Sequence, residues 1–307
     1  MIANFFNKSK PVNIIYLIVL LFVYFLINSL LIFQDQPFFD FLLKILGLFL
    51  VNVGILFLAN FIVFKNKLIH NNYYPQLLVV LLLGMFPEVM LNANLVLSNL
   101  FLLLAFRKIF SLKSNINTKG KIFDSGFWIG MAMLFYSWSF LFLALVYVSI
   151  IVYKKTDFRN FIIPIIGFIT PVFIYFTYLF YFDNLPIFYN HFNLEYSFNF
   201  EMYKSVKIVF PLLFLVIVLI WSILNVSSKF MLVNNVHKYS WVVVLWLLFI
   251  SILMVVFSTI KNSSELLFVI FPSAIIIGNF IQKSESSLLK NSVLYIFLLF
   301  SFEVYLL

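Results

Sequence analysis

Apolar stretches long enough to cross a bilayer recur along this chain from Pro11 to Leu307, separated only by short polar breaks. A hydrocarbon core needs roughly 17 to 25 predominantly apolar residues per helical crossing. Lipid offers no partner to a free backbone amide, so such stretches are confined to helices. Charged residues make up 10% and hydrophobic residues 64% of the 307, against about a quarter and about half in a soluble domain. No soluble domain of ordinary size fits between the apolar runs. The sequence therefore predicts one all-α domain over residues 1–307, a polytopic transmembrane helical bundle of about eleven helices with its N-terminus inside. The first run, Pro11 to Phe33, ends in Phe33, Gln34 and Asp35 rather than at a small-residue cleavage site, and reads as an uncleaved signal-anchor.

Seven passes are plain: Pro11 to Phe33, Phe38 to Phe64, Phe161 to Phe182, Ile208 to Val226, Trp241 to Thr259, Leu266 to Gln282 and Asn291 to Leu307. Two regions read as short hairpins. Tyr74 to Phe106 is too long for one straight pass and carries Pro87-Glu88 near its middle, where proline removes a helix hydrogen bond and a glutamate in lipid is costly. Ile122 to Tyr153 turns at Ser137-Trp138-Ser139. Basic residues decide the second case, because cytoplasmic loops are enriched in Lys and Arg. Folding Ile122 to Tyr153 as a hairpin leaves 16 basic residues inside and only Lys204, Lys207 and Lys261 outside; a single pass leaves 12 inside and 7 outside. The hairpin is preferred, with the C-terminus outside. Asp35, Asp40, Glu88, Asp183, Glu195, Glu201, Glu265 and Glu303 then fall on or near the outer face, which becomes the expected working face.

The chain has no cysteine, which excludes disulfides, thiolate metal sites and cysteine nucleophiles. Its net charge of +9 lies in clusters at the ends of apolar runs, the pattern of helix orientation and anionic head-group contact rather than of nucleic-acid binding. Three carboxylates are the catalytic candidates. Asp35 and Asp40 bracket the first outer turn, where a general base or a divalent metal would meet a lipid-borne head group; alternatively, Asp40 pairs with Lys44 four residues on. Glu88 sits at the first hairpin's apex, as a hydrated turn or as a site carboxylate. No cofactor is expected beyond a possible divalent metal. His191 and Glu195, four apart, are one acid and one imidazole, too few for a metal site by themselves. Gly126 and Gly130 form a small-residue pair suited to close helix packing. Pro164, Gly167 and Pro171 predict a kinked helix, and Asp183 to Lys207 reads as a surface segment with an interfacial helix. Asn52, Asn60, Asn92, Asn94 and Asn99 read as amides that link helices.

Two resemblances follow from these residues. MIANFFNKSKP at Met1 to Pro11, KIFDSGFWIGMAMLFYSWSFLFL at Lys121 to Leu143 and FIIPIIGFITPVFIYFTYLFYF at Phe161 to Phe182 resemble an uncharacterised family of Bacteroidetes multi-pass membrane proteins along nearly the whole chain. The order of elements from Tyr74 to Phe182, a hairpin, a basic loop, a second hairpin and a Pro-Gly-Pro helix, remotely resembles GT-C glycosyltransferases, which use polyprenyl-phosphate sugars. That likeness implies a catalytic carboxylate in the first outer loop, where Asp35 matches by position; Gln34 to Pro37 make a much shorter loop than those enzymes carry.

The expected function is a cell-envelope protein of a bacterial inner membrane, handling a polyprenyl-phosphate-linked sugar at the outer face. Its partners would be membrane lipid and other envelope proteins. The rivals are a non-catalytic membrane subunit or assembly factor, and then a transporter, disfavoured by the scarcity of mid-membrane ionisable groups. The hairpin carries a direct test on this cysteine-free background. A single cysteine at position 155 should react with an impermeant thiol reagent only from the cytoplasmic side, and one at position 195 only from the other. Labelling of position 155 from outside would replace the hairpin by one long pass.

Overall fold

The computed structural model describes residues 2–32, 38–192, 194–231 and 235–306, with the side chains of 31–32, 38–42, 190–191, 228–231, 235–237 and 306 left aside. The described residues contain helices and no strand. In chain order the α-helices are α1 (Ile2–Phe6), α2 (Pro11–Ile32), α3 (Phe38–Lys65), α4 (Tyr74–Met85), α5 (Ala93–Phe110), α6 (Thr118–Met133), α7 (Leu143–Val152), α8 (Phe158–Tyr181), α9 (Leu185–His191), α10 (Val206–Met231), α11 (Asn235–Phe257), α12 (Leu267–Lys283) and α13 (Ser287–Leu306).

Eight of these, α2, α3, α5, α8, α10, α11, α12 and α13, are long and apolar enough to cross a membrane. This fits a multi-pass membrane protein, while the expected count of about eleven passes exceeds the eight that meet the length and composition requirement. The difference lies in the two predicted hairpins. The chain breaks where expected, after Met85 and around Ser137, but α4 at 12 residues and α7 at 10 are short. At 1.5 Å per residue neither covers a 30 Å core alone, and α6 carries Lys119, Lys121 and Asp124 in its first two turns.

The contacts divide the chain into two compact units. Unit 1 comprises Met1–Val96, Asn199–Val233 and Ile260–Leu307. At its centre lie α4, every residue of which is buried, and α12, buried from Leu267 to Ile281. Both are predominantly apolar with no polar face, broken only by Gln76 in α4 and by Ser273 and Asn279 in the buried length of α12, the pattern of helices enclosed on every side. α4 packs against α2, α3, α12 and α13, and α12 also against α10. The outer helices keep large apolar side chains exposed, Leu50, Leu213, Ile217 and Leu299 among them, a surface suited to lipid. One end of unit 1 is tied by polar contacts: Tyr74 donates to the Ala3 carbonyl at 2.9 Å, Asn291 accepts from the Ala3 amide at 3.1 Å, and Asn279 donates to the Leu68 carbonyl at 3.2 Å. Lys8, Lys10, Lys65, Lys67, Lys283 and Lys290 flank these contacts in sequence. Glu88, Glu201, Glu265 and Glu303 lie toward the opposite end, on the far termini of the same helices and the turns beyond them.

Unit 2 comprises Leu97–Phe198 and Asn234–Thr259. Its tightest pair is α6 on α8. A Cβ added at Gly126 would fall 2.3 Å from the Pro164 carbonyl oxygen, one at Gly130 2.4 Å from that of Phe168, and one at Gly167 2.3 Å from that of Phe123. The predicted small-residue pair is thus a backbone-to-backbone contact, and Gly167 supplies its counterpart. The chain turns back after α6, so Lys155 donates to the Asn115 side chain, whereas Trp138 donates to the Glu195 carbonyl at 3.0 Å. Lys155 and Glu195 consequently stand at opposite ends of unit 2. The expected interfacial helix within Asp183 to Lys207 is confined to α9, and a 3-10 turn follows at Glu201–Lys204.

Because backbone oxygens, not flexible side chains, face the glycines, Gly126→Ala and Gly167→Ala should each destabilise the protein by about 1–3 kcal/mol or more. Gly47 on α3 has nothing within 4 Å of its added Cβ, so Gly47→Ala should be neutral or stabilise by up to ~1 kcal/mol. Thermal unfolding in detergent, compared across the three variants, measures this contrast.

Candidate functional site

Of the three predicted catalytic carboxylates, the structure describes the surroundings of one. Asp35 lies outside the described residues, and for Asp40 only the backbone, in the first turn of α3, is described. The Asp40–Lys44 pairing and the His191–Glu195 pair likewise rest on side chains outside the description. Glu88 is the carboxylate whose surroundings are described.

Its position follows from Pro87. A residue before proline is driven out of the helical region, and Phe86 takes φ −126°, ψ 83°, ending α4. Pro87–Met90 then form a 3-10 turn. Two asparagines hold its ends: Asn28 of α2 donates to the Pro87 carbonyl at 3.4 Å and Asn52 of α3 to the Met90 carbonyl at 3.1 Å. Asn52 thus links helices, as its type suggested. Burial of the half-buried Glu88 carboxyl pushes its pKa above the usual carboxylate range.

This turn packs against a second 3-10 turn, Ser264–Leu266, which brings Glu88 near a carboxylate that sequence reasoning did not single out. Glu265 is completely buried. Tyr203 donates to its Oε1 at 2.7 Å, while Oε2 has no hydrogen-bond partner. The charges of Lys261 and Glu88 both act on it. Lys261 is itself only 8% exposed, with Nζ 4.5 Å from the centre of the Phe200 ring. Desolvation lowers the lysine pKa and the Glu265 charge opposes that fall. Between the two, Ser263 adopts φ 74°, a left-handed conformation that costs a side-chain-bearing residue roughly 1–3 kcal/mol. Asn262 relieves the turn by accepting from the Ser264 amide at 3.3 Å.

The assembled group in unit 1 is thus two carboxylates, a lysine, a tyrosine and a phenylalanine on two helix-interrupting turns and the chain before α10. Buried carboxylates are retained against a desolvation cost of several kcal/mol, and strain collects at working sites. Chemically the group can take up a proton, hold a cation at the free carboxylate oxygen, or set a positive charge and an aromatic face beside an incoming molecule. A sequence signal existed: Lys261 and Glu265 are four apart, and Glu265 immediately precedes an apolar pass. Among the described residues no three His, Asp or Glu side chains form a metal-ligand set.

All of this belongs to an all-helical chain whose eight long apolar helices are compatible with a multi-pass membrane protein. The chain matches the family of unknown function DUF6427 over residues 5–306, and belongs to that family. Searches of curated proteins and of solved structures find no match.

The Tyr203–Glu265 bond should be measurable by a double-mutant cycle. Tyr203→Phe should cost about 1.5–3 kcal/mol in the wild-type background, as expected for a hydrogen bond to a charged acceptor, and nearer 1 kcal/mol in Glu265→Gln, where the acceptor is neutral. Equal costs in both backgrounds, read by thermal unfolding, would mean that Glu265 is uncharged in the folded protein.

Proposed function

We propose that this protein works in the inner membrane of a bacterial cell envelope, handling a polyprenyl-phosphate-linked sugar at the membrane's outer face. The observation that carries the reading is the juxtaposition in unit 1 of Glu88, with its raised pKa, and the Lys261–Glu265 pair, at the end away from the basic loops. Transfer of a sugar from a lipid phosphate requires a base for the acceptor hydroxyl and positive charge near the departing phosphate. Glu88 supplies the first and Lys261 the second, and Phe200 and Tyr203 add aromatic surface on which a sugar ring can rest. Asp35 and Asp40 are proposed as further carboxylates of the same end; the GT-C likeness makes Asp35 the rival to Glu88 as base, and the two amide variants separate them. The positive-inside distribution of Lys and Arg supports placing this end outside and the N-terminus inside.

A second reading, a non-catalytic subunit or assembly factor, draws on a different observation. In unit 2 the end of α8 and the segment after it expose Tyr181, Tyr189, Tyr196 and Phe198, side chains that are over-represented where proteins dock.

A deletion strain complemented at matched protein levels with wild type, Asp35→Asn or Glu88→Gln separates the readings through the glycan content of its envelope. Both amides keep size and hydrogen bonding while removing basicity, and loss of a general base typically costs a hundredfold or more. Loss of glycan in the deletion and in either variant supports the enzyme, and loss in the deletion alone supports the subunit. An unchanged profile in the deletion removes the sugar reading. With Glu88 as base, activity should fall on acidification at a pH above the ordinary carboxylate range, because the base must be ionised and its folded-state pKa is raised.

A further inference from the structure

We propose that the cleft between α5 and α6 in unit 2 binds the phosphodiester headgroup of an anionic phospholipid. The cleft encloses about 400 Å³ and is lined by Leu104, Arg107 and Lys108 of α5 and by Phe123, Asp124, Phe127 and Trp128 of α6.

Its lining is graded along the helix axes. α5 and α6 run antiparallel, clasped where Lys108 Nζ meets Asp124 Oδ2 at 2.6 Å and again where Phe101 stacks on Trp128 with ring centres 5.8 Å apart. Residues three or four apart share a helix face. One turn of α5 therefore separates Arg107 and Lys108 from Leu104, and one turn of α6 separates Asp124 from Phe127 and Trp128, both in the same sense. All charge lies at the end of the cleft near the basic loop, where Phe123 also stands, while Leu104, Phe127 and Trp128 line the part toward the helix middles with no charge among them. A soluble anion needs only the first half. An amphiphile fills both, with its phosphate at Arg107 and its acyl chains along Leu104, Phe127 and Trp128.

Charge selects the headgroup. Two cations and one carboxylate leave the cleft with a net charge of +1, which a phosphodiester with one negative charge neutralises. A zwitterionic headgroup would bring a second cation beside Arg107 and Lys108. Arg107 offers the planar donor fork that suits phosphate oxygens, while Asp124 holds Lys108 in place. Arg107 and Lys108 stand within the last two turns of α5, at the depth where long basic side chains reach the headgroup layer. Basic clefts between transmembrane helices are a recognised form of anionic-lipid site. The cleft is confined to unit 2, so it stands apart from the carboxylate group of unit 1.

Trp128 is a reporter inside the cleft. The full-length protein is reconstituted into phosphatidylcholine vesicles containing a minor fraction of either phosphatidylglycerol or phosphatidylcholine with brominated acyl chains. Quenching attributable to Trp128 is taken as the difference between wild type and Trp128→Phe. Brominated phosphatidylglycerol should quench this component several-fold more strongly than brominated phosphatidylcholine. Arg107→Gln should reduce the preference by about fivefold, the effect of one basic residue at an anionic surface, and Arg107→Lys should retain most of it, which separates loss of charge from loss of fold. Equal quenching by the two lipids would overturn the headgroup site. An unchanged preference in Arg107→Gln would also overturn it, because the phosphate would then not lie at Arg107.

Discussion

A backbone amide in hydrocarbon has no partner except another part of the chain, and this requirement shapes the protein throughout. Helices meet it locally, so the described chain is helical wherever it is apolar. Each interruption must then be satisfied by side chains. Pro87 interrupts the run from Tyr74 to Phe110, and Asn28 and Asn52 donate to the carbonyls at the two ends of the turn that follows. At the break after α6 hydroxyls pair with one another instead, Tyr136 donating to Ser258 and Ser98 meeting Ser139 at 2.7 Å. Polar residues accumulate where helices break because the backbone needs them there.

The same economy concentrates chemistry. Two interruptions, at Pro87–Met90 and Ser264–Leu266, pack together in unit 1 and carry Glu88 and Glu265 with them. A carboxylate buried in the apolar middle of α4 or α12 would pay the full desolvation cost; at a helix break it gains the Tyr203 hydroxyl and the charge of Lys261. The group is therefore a consequence of where the helices stop, and its unpartnered Oε2 and the strained Ser263 are what mere closure of the turns leaves unexplained.

Close packing in unit 2 arises from a different source. Between helices already in an apolar medium, burial of apolar surface adds little, and van der Waals fit becomes decisive. Gly126, Gly130 and Gly167 let α6 and α8 meet backbone to backbone, with Pro164 and Pro171 inside the facing helix. The aromatic residues on the remaining faces of α6, Phe123, Phe127 and Trp128, are thereby turned toward the α5 side, where they form the wall of the amphipathic cleft.

Much of the architecture was legible from the amino acids alone, because hydropathy and basic-residue placement follow directly from the cost of polar groups in lipid. The helical class, the separate apolar runs, the helix breaks after Met85 and around Ser137, and the glycine contact of α6 all lie in local composition. The crossing count was less secure, since a run of apolar residues does not reveal whether α4 or α7 spans a bilayer or packs wholly inside the protein. Glu88 was visible as a polar residue beside a proline. Its neighbours were not: Tyr203, Lys261 and Glu265 are separated from it by more than a hundred residues and meet it only through packing of two turns, which no local pattern encodes. The Arg107–Asp124 cleft is likewise a product of antiparallel register. Sequence determined which segments could enter lipid; only tertiary structure decided which charges share a site, because the long-range contacts that gather them are set by shape and not by polarity.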